Sequence, residues 1–457
     1  MNSNNQNTLV LGAGLAGLSV AHYLDKNLVN KCKILEADNN IGGLCRSFKK
    51  DDFTYDIGGH ILFSKDNNLL QEIISLLGDN ILQKRRKNEI WYKDRFIKYP
   101  FENGLDKLDK EEIFECLFSF LQKDQKKLQN LENLNTQNLY NWCIDKFGSG
   151  IAEKYLIPYN QKIWKRDLTQ MSLHWVDRIP SPPVEDIIKS AIGIQTEGYT
   201  HQLNFFYPKF GGIESLIKSL AVNANLKRNF KINKIVKNKD EWQVFAQDKV
   251  EYCQNLVSTI PIFDLINSLQ NVPEKVLQAL SSLQYNSLIL VMLGVKNKAL
   301  EKRTAIYVPD KNILPHRVCF MKCFSENNAP ENYSHLVAEI TVAPDSDLMK
   351  IDKDIFIQKV INNLKNICEF DTNDIISTDY KVIKYAYVVY DLDYLKNTKI
   401  IFDYLDSLNI FYTGRFGSFK YINMDTCIEM SKDLVFKKLL LNSNFKKQEK
   451  YSGRVVL

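Results

Sequence analysis

The sequence contains no apolar run long enough to cross a membrane. The longest, residues 288–295, is far shorter than a bilayer requires and fits a buried strand. The opening Met-Asn-Ser-Asn-Asn-Gln-Asn also lacks the charged start and the apolar stretch of a secretory signal. We therefore expect a cytoplasmic protein with no integral membrane segment.

Paired cysteine motifs are absent as well. The nine cysteines include no C-x-x-C pair and no companion histidine cluster, so we expect reduced thiols and no metal site. Lys and Arg outnumber Asp and Glu by 60 to 54, but the excess is spread along the chain without a basic stripe. Nucleic acid is therefore not an expected partner, and the sequence leaves open whether the chain forms a homo-oligomer.

What the sequence does contain is an ordered alternation of strand and helix patterns. The chain has 457 residues, of which 45% are hydrophobic, and can bury a large core divided among roughly two or three domains. A strand, a glycine turn, a helix and a second strand are predicted from Thr8 onward. Helical patterns occupy about 105–191, strand patterns return at about 203–261 and 285–380, and a final helix follows Asp425.

Gly12, Gly14 and Gly17 form a G-x-G-x-x-G fingerprint directly after the first predicted strand and at the head of the first helix. The first glycine permits a tight turn, the second lets a pyrophosphate approach the backbone, and the third lets helix and strand pack. The helix N-terminus favours the anion, and Glu36, nineteen residues after Gly17, can accept from ribose hydroxyls. The complete pattern predicts a Rossmann-like domain that binds an ADP-containing cofactor.

A second glycine turn follows the acidic residue and favours FAD over NAD. Gly42 and Gly43 precede Arg46, which can neutralise phosphate near the same helix end. The segment resembles the start of the FAD enzymes of the amine oxidase and protoporphyrinogen oxidase superfamily. The cofactor-binding residues implied by the fingerprint and by this resemblance are Gly12, Gly14, Leu15, Ala16, Gly17, Glu36, Ala37, Gly43, Leu44, Arg46, Gly59, His60, Ile232, Gly414, Arg415, Asn423 and Met424.

The resemblance also implies the fold class and its division into domains. We expect an α/β protein with a Rossmann-like FAD-binding domain of the glutathione reductase type, an inserted helical domain and an antiparallel β-sheet substrate domain. The discontinuous FAD-binding domain would comprise residues 1–104, 203–270 and 400–457. The helical domain would comprise 105–202, and the mixed antiparallel-sheet substrate domain 271–399.

Four further segments resemble the UDP-galactopyranose mutase family, especially its eukaryotic-type branch. They are 55–63 (YDIGGHILF), 99–103 (YPFEN), 158–164 (PYNQKIW) and 414–421 (GRFGSFKY), the last followed by Asn423-Met424-Asp425. The resemblance implies an isomerase, an intramolecular transferase that interconverts the pyranose and furanose forms of a UDP-hexose, with UDP-galactose as the default. In that family the N5 atom of reduced FAD attacks the anomeric carbon and forms a sugar adduct. A role in bacterial surface polysaccharide biosynthesis is implied as well.

The same resemblance assigns roles to individual residues. His60 would lean on the flavin, while Arg178 and Arg317 would hold the departing diphosphate through their planar guanidinium groups. These three are the implied catalytic residues. The implied substrate-binding residues are Tyr99, Phe101, Glu102, Asn103, Tyr159, Asn160, Trp164, Arg178, Tyr307, Arg317, Tyr390 and Tyr421.

The segments that would choose the base and the sugar depart from the family pattern. Glu102 stands where the eukaryotic-type branch has glutamine, and an ionised carboxylate only accepts hydrogen bonds. A carboxylate at pH 7 would suit the amino edges of cytosine or guanine, although a water-mediated contact could preserve uridine. The sugar-facing loop 198–204 also differs, so galactose is the default among hexoses.

The sequence limits how the flavin could be reduced and leaves two alternatives to the mutase. The sequence has no second dinucleotide fingerprint, so any NAD(P)H that reduces the flavin must use the substrate cleft. A flavin-dependent oxidase of an amine or a porphyrinogen would share the N-terminal fingerprint but would need an apolar tunnel and no diphosphate arginines. A binding protein without flavin chemistry, like the Rab escort proteins, would share only the fold.

Overall fold

The computed structural model describes residues 7–26, 32–122, 138–179, 181–197, 203–239, 241–296 and 302–440. Of the loop expected to face the sugar, residues 198–202 lie outside the described residues. The strands are β1 (Thr8–Leu11), β2 (Cys32–Leu35), β3 (Ser47–Lys50), β4 (Phe53–Asp56), β5 (Leu82–Arg85), β6 (Asn88–Tyr92), β7 (Arg95–Lys98), β8 (Asn204–Tyr207), β9 (Leu226–Lys227), β10 (Lys234–Asn238), β11 (Glu241–Ala246), β12 (Lys249–Cys253), β13 (Asn255–Ser258), β14 (Tyr285–Val295), β15 (Ala305–Tyr307), β16 (Arg317–Phe320), β17 (Ser334–Val342), β18 (Ile375–Val388) and β19 (Ile410–Tyr412).

The helices are α1 (Leu15–Lys26), α2 (Asn67–Ser75), α3 (Lys110–Gln122), α4 (Leu139–Ile151), α5 (Ile157–Trp164), α6 (Val184–Ala191), α7 (Glu214–Ala221), α8 (Ile262–Ser268), α9 (Glu274–Ser282), α10 (Lys353–Leu364), α11 (Tyr394–Ser407) and α12 (Met424–Leu434).

A five-stranded parallel sheet contains the first two strands of the chain. Its strand order is β19-β13-β1-β2-β9, so it joins segments from the beginning, middle and end of the chain. All four residues of β1 are buried, which is typical of a parallel strand covered on both faces. The strand–turn–helix predicted around the glycine fingerprint is therefore present as β1 and α1.

A seven-stranded sheet with the order β18-β14-β17-β16-β15-β6-β7 forms the second layer. Its pairs are antiparallel except β15 with β6, which is parallel. The expected domain boundaries placed residues 88–98 in the FAD-binding part, but they contribute β6 and β7 to this sheet instead. The hairpin joins it because β6 pairs with β15, a contact between distant segments that local pattern does not reveal.

The two faces of the seven-stranded sheet differ in function because side chains alternate along a strand. Val291, Val318 and Ala338 pack with Phe356 and Val360 of α10 in one apolar core. The residues between them point to the opposite face. That face carries the polar side chains described below.

Helices α3, α4, α5 and α6 follow one another between β7 and β8 and form the helical region. In α4 the side chains of Leu139, Cys143 and Phe147 are buried, as the apolar spacing predicts. Gly148 interrupts the helix with φ +75°, and a Cβ there would lie 2.5 Å from the carbonyl carbon of Ser119 in α3. The close approach of α3 and α4 therefore requires glycine at this position. A π-helical segment, Ala152–Leu156, then leads into α5.

Together these elements give the expected class, an α/β fold with a Rossmann-like sheet, a helical region and a mainly antiparallel sheet. In the described parts of the chain, none of the helices is both long and apolar enough to cross a membrane.

Candidate active site

A cleft of about 670 Å³ is lined by the glycine turns, by α5, by the polar face of the seven-stranded sheet and by the start of α12. Such concave sites at the carboxyl ends of parallel strands are where α/β proteins bind ligands. The predicted cofactor residues that line this cleft are Gly14, Leu15, Ala16, Glu36, Gly43, Leu44, Arg46, Gly59, His60, Gly414, Arg415, Asn423 and Met424. The predicted substrate residues that line it are Tyr99, Tyr159, Arg178, Tyr307, Arg317 and Tyr421.

The first glycine turn has the geometry that the fingerprint predicts. Gly12 has φ +96°, and a Cβ on Gly17 would lie 2.0 Å from the carbonyl oxygen of Gly12. Glu36 is fixed at the end of β2, where its carboxylate accepts from the backbone N–H of Ala13 at 2.8 Å and of Asp38 at 2.9 Å. The turn is therefore tight, and its acidic residue is held beside the N-terminus of α1.

The second glycine turn lies directly against the first. Gly14 and Gly42 form an isolated parallel bridge, and Gly42 donates its N–H to the carbonyl of Ala13 at 2.8 Å. Arg46 folds back over this turn and donates Nε to the carbonyl of Gly43 at 3.2 Å. The pairing places a cation beside two adjacent backbone turns, as binding of a diphosphate requires.

His60 lies in the loop after β4 and directly follows two glycines in the chain, which face the seven-stranded sheet. A Cβ on Gly58, which has φ +77°, would lie 3.3 Å from Nη2 of Arg317. Burial and the guanidinium groups of Arg415 and Arg317 lower the pKa of His60 to about 3. The imidazole is therefore neutral at physiological pH, and its Nδ1 atom is buried without a hydrogen-bond partner among the described residues.

Tyr307, Arg317 and Glu339 lie in one cross-strand row on the polar face of the seven-stranded sheet. Tyr307 of β15 is opposite Arg317 of β16, which is opposite Glu339 of β17. Arg317 donates Nε and Nη2 to the two oxygens of Glu339 at 2.8 and 2.7 Å. Burial opposes the charge on Arg317, but the Glu339 carboxylate outweighs that effect and raises the pKa of Arg317 well above its ordinary value. The row holds a fixed cation at the cleft wall.

Two further guanidinium groups lie against the ring of Tyr421. The Cζ atom of Arg178 is 4.5 Å from the ring centroid, and that of Arg415 is 4.2 Å from it. Trp164 packs edge-on against the same ring, with a centroid distance of 5.8 Å. The Nε atom of Arg415 is buried without a hydrogen-bond partner in the described part of the chain. Tyr421 thus brings arginines from the helical region and from the C-terminal part to one place.

Aromatic side chains line the remaining wall. The rings of Tyr99 and Tyr307 stack with a centroid distance of 4.6 Å, and the ring of Tyr159 meets Tyr307 edge-on at 5.6 Å. Tyr159 is presented by α5, whose first turn contains Pro158. Phenol rings of this kind offer flat apolar surfaces with a polar tip, which suits a ligand that is partly aromatic and partly charged.

Several expected site residues do not line the cleft. Gly12 and Gly17 belong to the first turn but do not line the cleft. Ala37 is exposed beside Glu36, and Ile232 packs against an apolar core. Asn160 and Trp164 are buried and bind each other, since Trp164 donates Nε1 to the Asn160 side chain at 3.2 Å. Tyr390 accepts from the backbone N–H of Tyr421 at 2.6 Å. Phe101, Glu102 and Asn103 are buried in a turn of 3-10 helix after Pro100.

Glu102 differs from the expected acceptor-only carboxylate. It is 1% exposed, and burial raises its pKa to about 8. At pH 7 the side chain is therefore mostly a neutral carboxylic acid, which has one O–H donor and one carbonyl acceptor, as a glutamine amide has both a donor and an acceptor. The expectation of a negative group was wrong because sequence alone does not show that this turn is buried.

Sequence reasoning missed other cleft residues, among them Arg86, Trp175, His316 and Tyr387. His316 directly precedes Arg317, and its Nδ1 atom lies 3.3 Å from the hydroxyl of Thr341. Alternation along β16 would have placed the side chains of His316 and Arg317 on opposite faces. His316 precedes the strand, so the alternation of side chains along β16 does not apply to it, and it faces the cleft as Arg317 does.

The residues present fit FAD. The two glycine turns have no side chains that would keep a diphosphate from the backbone at the start of α1, and Glu36 is fixed beside them, as the fingerprint predicts for a residue that would bind a ribose. The orphaned Nδ1 of His60 and Nε of Arg415 are buried polar atoms, of the kind that a bound group normally satisfies. His60 and Arg415 come from opposite ends of the chain.

Known proteins share this architecture. The structure of reduced UDP-galactopyranose mutase matches with a TM-score of 0.84 at 21% identity, covering 99% of this chain and 100% of that one. The structure of putrescine oxidase bound to putrescine matches with a TM-score of 0.67 at 14% identity, covering 95% and 99%. At these identities the likeness establishes the fold alone.

Sequence comparisons indicate the same superfamily. The L-amino-acid oxidase of Notechis scutatus scutatus is 20% identical over 404 residues, which are 83% of this chain and 74% of that protein. The family model described as flavin containing amine oxidoreductase matches residues 15–429. That span includes the start of α1, all the cleft-lining residues except Gly14, and most of α12. This chain is therefore a member of the flavin containing amine oxidoreductase family.

Proposed function

We propose that this chain is an FAD-dependent nucleotide-sugar mutase that interconverts the pyranose and furanose forms of a UDP-hexose, with UDP-galactose as the default substrate. The fold shared with reduced UDP-galactopyranose mutase supports the proposal, because that match spans both chains almost completely. The four sequence segments that resemble the mutase family support it independently.

The observation that carries the proposal is the convergence of Arg178 and Arg317 on one cleft with the glycine turns. Arg178 lies in the helical region, between α5 and α6, whereas Arg317 begins β16 of the seven-stranded sheet. Two guanidinium groups from such distant segments, beside a cofactor turn, suit a ligand that carries two phosphates. An amine or amino acid substrate offers no diphosphate for them to bind.

The residues of this chain would act mainly by holding and orienting the nucleotide. Arg317 is fixed by Glu339 and so presents a cation without reorganisation, which is how preorganised groups stabilise developing charge on a leaving diphosphate. Tyr307 and Tyr421 supply hydroxyl groups that donate hydrogen bonds without adding charge. When bound, reduced FAD supplies the nucleophile for the anomeric carbon.

The aromatic walls would keep water from the reacting sugar. Tyr159, Trp175 and Tyr387 line the cleft beside the arginines, and their rings would cover part of a bound sugar. Exclusion of water matters because it would compete with the sugar hydroxyl that closes the ring. His60, neutral at physiological pH, can donate or accept a hydrogen bond at the flavin without bringing a charge.

The decisive experiment supplies UDP-galactofuranose to the dithionite-reduced protein and follows its conversion to the pyranose by chromatography. The matched control is the same protein kept oxidised, which the proposal expects to be inactive. No conversion by flavin-loaded, reduced protein would remove the proposed function. We also propose NAD(P)H as the physiological reductant and surface glycan synthesis in the cytoplasm of a bacterium as the setting.

The second candidate is an FAD-dependent oxidoreductase of the amine oxidase or protoporphyrinogen oxidase type. The L-amino-acid oxidase similarity over 404 residues favours it. Five arginines line the cleft, Arg46, Arg86, Arg178, Arg317 and Arg415, and they argue against an apolar substrate tunnel. Hydrogen peroxide release with amines or amino acids, measured on the same preparation, distinguishes this candidate from the mutase.

A further inference from the structure

Lys162 is a buried lysine whose hydrogen-bond partners are backbone carbonyls. The residue is 6% exposed. Its Nζ atom donates to the carbonyl oxygens of Val308 and Asp310, both at 2.8 Å, and of Pro315 at 2.7 Å. All three acceptors belong to the loop that joins β15 to β16.

This geometry determines the charge of the side chain. A carbonyl oxygen can only accept, so three carbonyl partners require three N–H donors, which the ammonium form has and the neutral amine lacks. Burial lowers the pKa of Lys162, whereas the three carbonyl acceptors can be satisfied together only by the protonated form and so favour the ammonium. Lys162 therefore holds the loop through three charge-assisted hydrogen bonds, a strong class of bond.

The loop connects two cleft residues. Tyr307 is the residue before Val308, and Arg317 is the second residue after Pro315. The base of the loop is closed by a hydrogen bond of 2.9 Å from the N–H of Val308 to the carbonyl of His316. A shift of the loop would therefore move Tyr307, His316 or Arg317.

The helix that carries Lys162 is itself fixed and presents a cleft residue. The side chain of Asn286, in β14, donates to the carbonyls of Ile163 and Trp164 at 3.1 and 2.7 Å. Tyr159, one turn before Lys162 in α5, lines the cleft. Lys162 is thus a direct link between the helical wall of the cleft and the loop that carries its phosphate-binding candidates.

We propose that Lys162 is a positioning residue of the nucleotide-sugar site, which sets the distance of Tyr307 and Arg317 from Tyr159 by fixing the loop 308–315 to α5. The inference rests on the proposed function, since the spacing matters for a ligand that spans both walls. Small displacements of positioning groups carry large costs in binding and rate.

The chain contains a matched control. Lys322 is also buried, at 8% exposed, and donates to the carbonyls of Glu331 and Tyr333, both at 2.9 Å, and of Pro330 at 3.5 Å. Neither Lys322 nor its three carbonyl partners lines the cleft. Loss of either ammonium group should lower stability to a similar extent, but only loss of Lys162 should act on the ligand.

The test compares Lys162→Met, Lys162→Arg and Lys322→Met as flavin-loaded proteins. Titration with UDP measures the dissociation constant, urea unfolding measures stability, and hydrogen exchange follows the backbone amides of the segment 305–318. We expect Lys162→Met to raise the UDP dissociation constant by about tenfold or more, with faster exchange in 305–318 and unchanged flavin content. Lys162→Arg, which keeps the charge, should be intermediate, and Lys322→Met should bind UDP as the wild type does.

The outcomes separate the two proposals. If the wild type binds UDP and Lys162→Met binds it as tightly as Lys322→Met does, the positioning role is wrong while the proposed function stands. If the flavin-loaded wild type binds no UDP, both proposals fall. Should Lys162→Met not fold, the same comparison is made with Lys162→Arg, and equal UDP binding by that variant together with unchanged exchange in 305–318 overturns the inference.

Discussion

Arg317 donates two hydrogen bonds, from Nε at 2.8 Å and Nη2 at 2.7 Å, to the fully buried carboxylate of Glu339. Glu339 also accepts from the thiol of Cys319 at 3.2 Å. The Nη1 atom of Arg317 takes no part in the Glu339 pair, and the residue lines the cleft. The pair therefore aims the guanidinium group at the cleft, and its strength sets how rigidly that group is held.

Glu339→Gln tests this arrangement. The change leaves a partly buried guanidinium, 25% exposed, without its counter-charge, and the loss of one partner of a fully buried pair, about 3–5 kcal/mol, is the upper limit of the cost. We expect urea unfolding to show this loss, and UDP titration to show weaker binding. The matched control is Glu251→Gln, where a largely buried glutamate that pairs with Lys33 and Lys227 lies outside the cleft. Equal UDP affinity in Glu339→Gln and the wild type would contradict the prediction.

Tyr421→Ala should weaken nucleotide binding because both Arg178 and Arg415 lose the ring on which they rest. Loss of two partly buried cation–π contacts predicts a UDP dissociation constant raised about tenfold. Tyr421→Phe keeps the ring and loses only the hydroxyl, so it should bind UDP more tightly than Tyr421→Ala does. Tyr252→Ala, which removes a 47% exposed tyrosine, serves as the control. If Tyr421→Phe is as weak as Tyr421→Ala, the hydroxyl and not the stacking is responsible.

Glu102 makes the stability of the protein depend on pH. Its pKa is raised from 4.5 to about 8, so the folded state keeps a proton that the unfolded state releases between those values. The contribution of Glu102 is therefore most favourable below pH 4.5 and is lost as the pH rises towards 8. The expected slope is about 1.4 kcal/mol per pH unit.

Glu102→Gln should remove this slope, so that the variant is more stable than the wild type at pH 8. Urea unfolding of both proteins across this range measures the difference. Glu326→Gln, at an exposed position, is the control and should leave the pH dependence unchanged. Parallel pH curves for the wild type and Glu102→Gln would show that the carboxyl is ionised in the folded protein.

The cofactor turn could be predicted from sequence because its information is local. Gly12, Gly14 and Gly17 lie within six residues, and each is required by a distance that a short turn imposes. The expected cleft positions of Arg178 and Arg317 came from the family resemblance. Glu339 was not anticipated, because its role depends on the register of β16 against β17, which pairs residues that are far apart in sequence.

The same limit explains why the sheet that residues 88–98 join and the protonated state of Glu102 were not predicted. Residues 88–98 have an ordinary strand pattern, and nothing in that pattern says which sheet the strands will join. Glu102 looks like any acidic residue in a turn until its burial is known. Lys162 lies within the segment 158–164 that resembles the mutase family, but its three acceptors are backbone carbonyls, which no side-chain pattern in a sequence reveals.

Gly14 and Gly17 should respond differently to the same substitution, and the difference tests the cofactor site itself. A Cβ on Gly14 would meet its neighbours at 3.8 Å or more, so Gly14→Ala should fold, but its methyl group would stand at the lining of the cleft where a diphosphate approaches the backbone. A Cβ on Gly17 would overlap the carbonyl oxygen of Gly12 at 2.0 Å, so Gly17→Ala should destabilise the protein even when no cofactor is bound. Flavin absorbance per protein and urea unfolding separate the two effects. Gly14→Ala is expected to purify with less flavin than the wild type. When both proteins are freed of flavin, it is expected to unfold at the same urea concentration as the wild type. A Gly14→Ala protein that retains its full complement of flavin would mean that the diphosphate does not approach this turn.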